Sequence, residues 1–283
     1  MSEKYDLHCH STASDGALSP TALVQRAHEH GVTSLALTDH DTVAGIAEAQ
    51  TAAIETGIHL IPGIELSASW QNKCFHIVGL GIDPDYPPLR EATLNLQIMR
   101  TERAEKIAAK LEKKRIPGAL EAVKKAAGDG MITRSHFADF LLSQFHVSTQ
   151  QEAFDRYLGA GKAAFVPTTW SDLELAVDWI TGSGGVAVLA HPLRYKLTAS
   201  WMKRLLAAFK EVGGLGIEVV TGRYNADEIK IVAAYATRFE LAGSVGSDFH
   251  NPANPWIELG RIAPLPEHIK PVWELLANPQ DIH

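Results

Sequence analysis

The segment YDLHCHSTASDG, residues 5–16, sets two histidines one residue apart and an aspartate five positions beyond them. In an extended strand, side chains at i and i+2 share a face, about 7 Å apart along the backbone. His8 and His10 can therefore lean onto one cation, through metal–nitrogen bonds of about 2.1 Å. Asp15, in a Ser/Ala/Asp/Gly turn, can reach round as an oxygen ligand. An isolated His-x-His is a weak signal, read as readily as a half-buried edge strand with solvated imidazoles. Its weight comes from recurrence: Thr38-Asp39-His40, Pro62-Gly63-Ile64-Glu65, His76, Ala190-His191-Pro192 and Gly246-Ser247-Asp248-Phe249-His250 close or follow other apolar runs.

Collected, the donors are His8, His10, Asp15, His40, Glu65, His76, His191, Asp248 and His250. Nitrogen and oxygen donors without cysteine suit Mn²⁺, Zn²⁺ or Fe²⁺ rather than a structural zinc clip. One ion takes about four to six ligands, so nine imply two or three ions sharing a carboxylate. Three divalent ions against Asp15, Glu65 and Asp248 leave a pocket of roughly +3, which favours a phosphate. Closely spaced metals are a common means of clamping the attacking and departing oxygens in phosphoryl transfer.

The elements that must position these residues alternate. YDLHC reads as a strand and SPTALVQRAHEHG as a helix capped by Ser19 with Pro20 at its first position. TSLALTDH reads as a strand; DTVAGIAEAQTAAIETG follows as a helix with Asp41 as its N-cap and Gly57 after its end. IHLIPGIELSA and CFHIVGLGID are strands. After residue 185 the pattern resumes: GGVAVLAHP, a helix near 198–211, GLGIEVV, a helix near 225–238, then LAGSVGSDFH. Such alternation implies an α/β fold with a parallel, barrel-like or doubly wound sheet, its site at the strands' C-terminal ends.

Residues 88–168 interrupt the rhythm with helical signals alone, which predicts an inserted helical subdomain between barrel segments 1–87 and 169–283. Residues 100–125 carry nine Lys or Arg and four Glu, a local balance of +5 in a chain of net charge −7. Arg103, Lys106 and Lys110 recur at helical spacing, as expected of either a solvated face or an electropositive lid. The overall acidity argues against a protein that coats nucleic acid through its field. No run approaches the roughly eighteen apolar residues of a membrane span. Two cysteines exclude a disulfide framework, and the polar N-terminus lacks a signal-peptide core; a cytoplasmic location is expected.

HCHSTASDG, LTDHD, PGIE, AHP and GSDFH, in that order, resemble the PHP (polymerase and histidinol phosphatase) family, over residues 5–82 and 185–262. That family comprises metal-dependent phosphoesterases related to amidohydrolases. The resemblance implies a distorted seven-stranded β/α barrel. The helical insertion and the sequence ITRSH are most similar to its 3′,5′-nucleotide bisphosphate phosphatase branch, which uses manganese. The implied ligand sets are His8, His10, Glu65 and Asp248 for one metal; Glu65, His76 and His191 for a second; Asp15, His40 and His250 for a third.

The expected reaction is hydrolysis of the 3′-phosphate of nucleoside 3′,5′-bisphosphates, such as adenosine 3′,5′-bisphosphate, by attack of a metal-bridging hydroxide. Asp248 is the candidate proton acceptor, and His191 and His250 are candidate acids. Arg134, at a helix start, joins these as a catalytic candidate. Asp15, Arg103, Arg134 and Arg194 are the candidate substrate contacts. The same centre would serve a 5′→3′ exoribonuclease on short 5′-phosphorylated RNA, or a histidinol phosphate phosphatase. A non-catalytic PHP scaffold would not need so complete a ligand set. No membrane contact and no obligate protein partner are expected.

Overall fold

The computed structural model describes residues 3–276. β1 (Tyr5–Asp6), β2 (Ser34–Leu37) and β3 (His59–Trp70) run parallel and neighbour one another. Next come β4 (Lys73–Leu80), β5 (Ser171–Asp172), β6 (Val186–Leu189), β7 (Gly216–Thr221) and β8 (Ala242–Gly246). The path around the sheet is β1-β2-β3-β4-β6-β7-β8, with β5 paired to β3 off that path. The ends of the path meet: Leu7 N–H donates to Val245 O at 2.9 Å and Asp248 N–H to His8 O at 2.8 Å. A seven-stranded, nearly closed barrel results.

The barrel is not wholly parallel. β4 is antiparallel to both β3 and β6. Only Gln71 and Asn72 separate β3 from β4, both at positive φ (46° and 61°), the backbone of a tight hairpin turn. Two residues allow an antiparallel return and nothing else, since a parallel crossover needs a dozen or so. The expectation that every ligand sits at a C-terminal strand end is therefore corrected. His76 lies in the first half of β4, opposite Ser67, and Glu65 lies inside the twelve-residue β3.

α1 (Pro20–Glu29) begins as expected, with the Ser19 hydroxyl accepting from Ala22 N–H and Pro20 first in the helix. α2 (Ile46–Thr56) starts five residues later than Asp41 and has no side-chain cap. Asp41 is instead buried at φ 55°, its carboxylate turned to Ser67 N–H and to Arg100. α2 does end at left-handed Gly57.

Among the described residues the stretch after β4 is helical: α3 (Pro87–Glu112), α4 (Ala119–Ala127), α5 (Arg134–Ser143) and α6 (Gln150–Ala153), which runs into a π turn at Phe154–Leu158. These helices enclose a hydrophobic cluster of their own, including Leu111, Val123, Phe137 and Leu141. α3 serves two cores: Leu89 and Leu96 join the main barrel cluster, whereas Ala104, Ile107 and Leu111 join the insertion's. α7 (Leu173–Gly182), not anticipated from the sequence, packs Ala176, Val177 and Ile180 on the barrel. α8 (Ala199–Glu211) and α9 (Ala226–Phe239) fall where the periodicity places them. No helix among the described residues is long and apolar enough to cross a membrane.

Candidate metal centre

The backbone beyond β1 continues extended. His10 N–H donates to Phe249 O at 2.9 Å, and Cys9 bridges Phe249. Cys9 turns into the core while His8 and His10 turn inward together. Their Nε2 atoms lie 3.1 Å apart. Glu65 Oε2 is 3.3 Å from His8 Nε2 and 3.4 Å from His10 Nε2, and Asp248 Oδ1 stands 3.7 and 3.4 Å from the same atoms. Donors sharing an ion through bonds of about 2.1 Å are themselves about 3.0–3.4 Å apart. These four atoms have close to that spacing.

Glu65 reaches a second group. Its Oε1 is 2.9 Å from His76 Nδ1 and 3.0 Å from His191 Nε2, and Oε2 is 2.9 Å from His40 Nδ1. Around Asp15 Oδ1 gather His250 Nε2 at 3.5 Å, His10 Nδ1 at 3.9 Å and His40 Nε2 at 4.0 Å. All nine residues singled out in the sequence thus meet in one cluster. The sharing differs from the implied sets: His40 faces Glu65 as well as Asp15, and His10 faces Asp15 as well as Asp248.

Whether these residues suit cations can be tested on their unmet polar atoms. His10 Nδ1, Asp15 Oδ1, His40 Nδ1, Glu65 Oε2 and His191 Nδ1 are buried without a hydrogen-bond partner. Buried polar groups are seldom left so. Close nitrogen–oxygen approach without hydrogen-bond geometry is the arrangement of lone pairs aimed at a shared ion. The electrostatics agree. Burial would raise the Glu65 carboxyl, but the imidazoles of His40, His76 and His8 outweigh it and hold Glu65 well below the usual carboxylate range. Burial likewise opposes His76, yet Glu65 pushes it up to about 10. A cluster that draws in positive charge so strongly fits divalent cations.

Surrounding groups fix the donors. His8 Nδ1 donates to Glu218 Oε1 at 2.8 Å, which leaves Nε2 with its lone pair toward the cluster. Glu218 Oε2 also accepts from His191 N–H at 2.6 Å. A register shift in β7 between Glu218 and Val220 accompanies this inward carboxylate. Asp39, expected to orient the site, accepts from Ser11 N–H and from the hydroxyls of Ser11 and Ser14, so it holds the turn between His10 and Asp15. A Cβ on Gly246 would fall 2.4 Å from His8 Cβ, so only glycine lets β8 approach so closely. His191 and Asp248 both hold positive φ, 28° and 54°, the strained backbone often found where a side chain is over-determined.

Glu218 escaped the sequence reading. Its signal was a lone carboxylate inside the apolar run GLGIEVV, since a charged residue in such a run is buried only with a partner.

The cavity above the cluster measures about 270 Å³ and takes Arg100, Thr133, Arg134, Ser135 and Phe154 from the insertion. Arg134 opens α5 behind the N-cap Thr133, as expected, and the Thr133 hydroxyl donates to Asp15 Oδ2 at 2.8 Å. Arg103 does not line this cavity; it lines a neighbouring one of about 210 Å³, with Nε buried and unpartnered. Burial and the charges of Arg134 and Arg100 push it down to about 9. Arg194 sits at the mouth and pairs with Asp248 Oδ2 at 2.5 Å. Burial would raise the Asp248 carboxyl, but Arg194 and the neighbouring imidazoles hold it well below the usual range. Asp248 thus turns Oδ1 to His8 and His10 and Oδ2 to Arg194. The basic stripe divides further: Lys106 is exposed beside Glu102, and Lys110 donates to Phe165 O.

A buried His/Asp/Glu cluster at the mouth of a nearly closed β/α barrel defines the class, a metal-dependent phosphoesterase of amidohydrolase-like build. The chain belongs to the PHP domain family, whose model matches residues 6–222. It is 48% identical over 274 residues to a 5′-3′ exoribonuclease of Haemophilus influenzae, covering 97% of this chain and 99% of that one. Against a 3′,5′-nucleoside bisphosphate phosphatase of Chromobacterium violaceum it is 42% identical over 272 residues, covering 96% and 95%. The solved structure of an amidohydrolase from Chromobacterium violaceum, with bound sulfate and no metal, superposes with a TM-score of 0.92 at 41% identity, covering 96% of this chain and 95% of that one.

Proposed function

We propose that the chain hydrolyses the 3′-phosphate of nucleoside 3′,5′-bisphosphates, yielding the 5′-monophosphate and inorganic phosphate. The observation that carries the reading is Arg134, which faces the His/Asp/Glu cluster across the cavity with no carboxylate partner among the described residues. A substrate with two phosphates meets both needs: one phosphate over the cluster, the other on the insertion's guanidiniums. The sulfate held by the similar Chromobacterium violaceum structure is an anion of that shape.

His8, His10, Asp15, His40, Glu65, His76, His191, Asp248 and His250 would hold two or three divalent ions, with Mn²⁺ the proposed metal. Such ions supply Lewis acidity and activated water at neutral pH. The protein's own groups do the rest. Arg134 binds phosphate oxygens. Arg194 steadies Asp248, and whichever of His191 and His250 is not committed to metal would hand a proton to the leaving 3′-oxygen. Residues 88–168 act as a substrate lid over the barrel, whose described segments are 3–87 and 169–276; the expected segment ends, 1–2 and 277–283, lie outside the described residues. Water adds to phosphorus, the bond from phosphorus to O3′ breaks, and O3′ takes a proton.

A second reading has its own support, because the Haemophilus influenzae exoribonuclease is the more identical of the two relatives. Releasing a 5′-mononucleotide from 5′-phosphorylated RNA breaks the same bond, with a nucleoside substituent on the departing phosphoryl group. The test is phosphate release from adenosine 3′,5′-bisphosphate with added Mn²⁺, beside mononucleotide release from a 5′-phosphorylated oligoribonucleotide. Chelator-sensitive phosphate release is expected. Absence of phosphate release with metal bound would overturn the phosphatase reading.

A further inference from the structure

One cationic side chain at the mouth is used by neither the cluster nor the insertion. After β7 the chain turns at Gly222, Arg223 and Tyr224, with Tyr224 N–H donating to Thr221 O at 3.2 Å. That turn is fixed on both flanks. Leu193 N–H donates to Tyr224 OH at 2.9 Å, which ties it to the Pro192–Tyr195 turn carrying Arg194. Gly222 N–H donates to Gly246 O at 3.1 Å, and a Cβ there would lie 2.4 Å from Ser247 O and 3.4 Å from Ile257 Cγ2.

Arg223 thus stands on a rigid backbone between the Arg194 turn and the segment that follows Asp248 and His250. Its guanidinium makes no ion pair and no side-chain hydrogen bond among the described residues, and it is exposed. Partial burial and the charge of Arg194 push it down while Asp248 pulls it up, so it lies within electrostatic reach of the cluster. Next to Ile257, the residue that meets Gly222, stands Trp256, 82% exposed. An open indole and an uncommitted guanidinium, each one residue from the approach of Gly222 to Ile257, match the pairing of stacking surface and cation that single-stranded nucleic acid uses.

The positions across the barrel give a direction. The insertion's contacts enter over β1–β3, through Arg100 on Asp41 and Ser67 and Thr133 on Asp15. Arg194 and Arg223 follow β6 and β7, on the far side of the strand order. A bisphosphate needs only the first side and the cluster. A chain that continues past the cut carries further phosphates and bases, and these need the second.

We propose that Arg223 and Trp256 dock the nucleotide on the 3′ side of the bond that is cut, phosphate on guanidinium and base on indole, whenever a 5′-phosphorylated oligoribonucleotide occupies the site. This rests on the phosphoester reading above. The experiment compares Arg223→Ala and Trp256→Ala with the unaltered protein, Mn²⁺ present, on a 5′-phosphorylated triribonucleotide and on adenosine 3′,5′-bisphosphate. Each substitution is expected to lower kcat/KM on the trinucleotide about tenfold or more and to leave bisphosphate hydrolysis within about twofold. Equal losses on both substrates, or no loss on either, would overturn the docking role. So would an unaltered protein that cleaves bisphosphate but not RNA. Failure of the unaltered protein on both substrates would instead sink the phosphoester reading itself.

Discussion

On the barrel side of the cavity the donors are held by other protein groups: His8 by Glu218, the turn between His10 and Asp15 by Asp39, and Asp248 by Arg194. On the insertion side Arg100 is tied to Asp41 and Ser67, but Arg134 leans on an aromatic face instead, 5.7 Å from the Phe154 ring centre. Cations demand donors placed to fractions of an ångström, and hydrogen-bonded carboxylates deliver that. A guanidinium over a ring keeps its fork free and tolerates some variation in what it grips. Under the proposed function the two faces divide the work, with chemistry on the rigid wall and selection on the helical one.

Four substitutions test that division. Glu65→Gln removes the carboxylate that both groups of donors face, and turnover is expected to fall on the order of 10³-fold with loss of bound metal. Metal content and kcat measured together check it; full metal content with normal kcat would break the comparison. Arg134→Ala should raise KM for the bisphosphate about 10–100-fold, as expected for losing a charge-assisted phosphate contact, while metal content stays whole. Glu218→Gln keeps the shape but weakens the brace on His8, and metal affinity is expected to drop about tenfold or somewhat more, read by metal titration. Lys106→Ala is the mildest. Its exposed pair with Glu102 spans 3.6 Å, so kinetics and stability should change less than about twofold in rate and about 0.5 kcal/mol.

Much of the site was legible because parallel strands deliver their C-terminal residues to one mouth. His40, His191, Asp248 and His250 follow that rule, and so does the inward pair His8 and His10. Glu65 and His76 reach the cluster by another route, the β3–β4 hairpin, whose brevity was visible in the few residues between the two apolar runs. Glu218 and Asp41 were harder. Each is a buried carboxylate whose partner, His8 or Arg100, is distant in sequence, and helix-cap propensity pointed Asp41 elsewhere. Local propensity reports what a residue can do beside its neighbours; long-range pairing decides what it does. Arg103 shows the same limit, since helical spacing placed it on the basic face but could not say which cavity that face overlooks.

α3 carries a consequence beyond the site. One continuous helix of 26 residues, about 39 Å long, buries its first half in the barrel and its second half in the insertion. Neither hydrophobic cluster can come apart without stripping a cover from the other, so the two are coupled in unfolding despite their separate chemistry. The insertion is not a cassette hung on a linker. To excise it would mean cutting a helix through the middle, and any lineage that shortened it would have to rebuild part of the barrel at the same time.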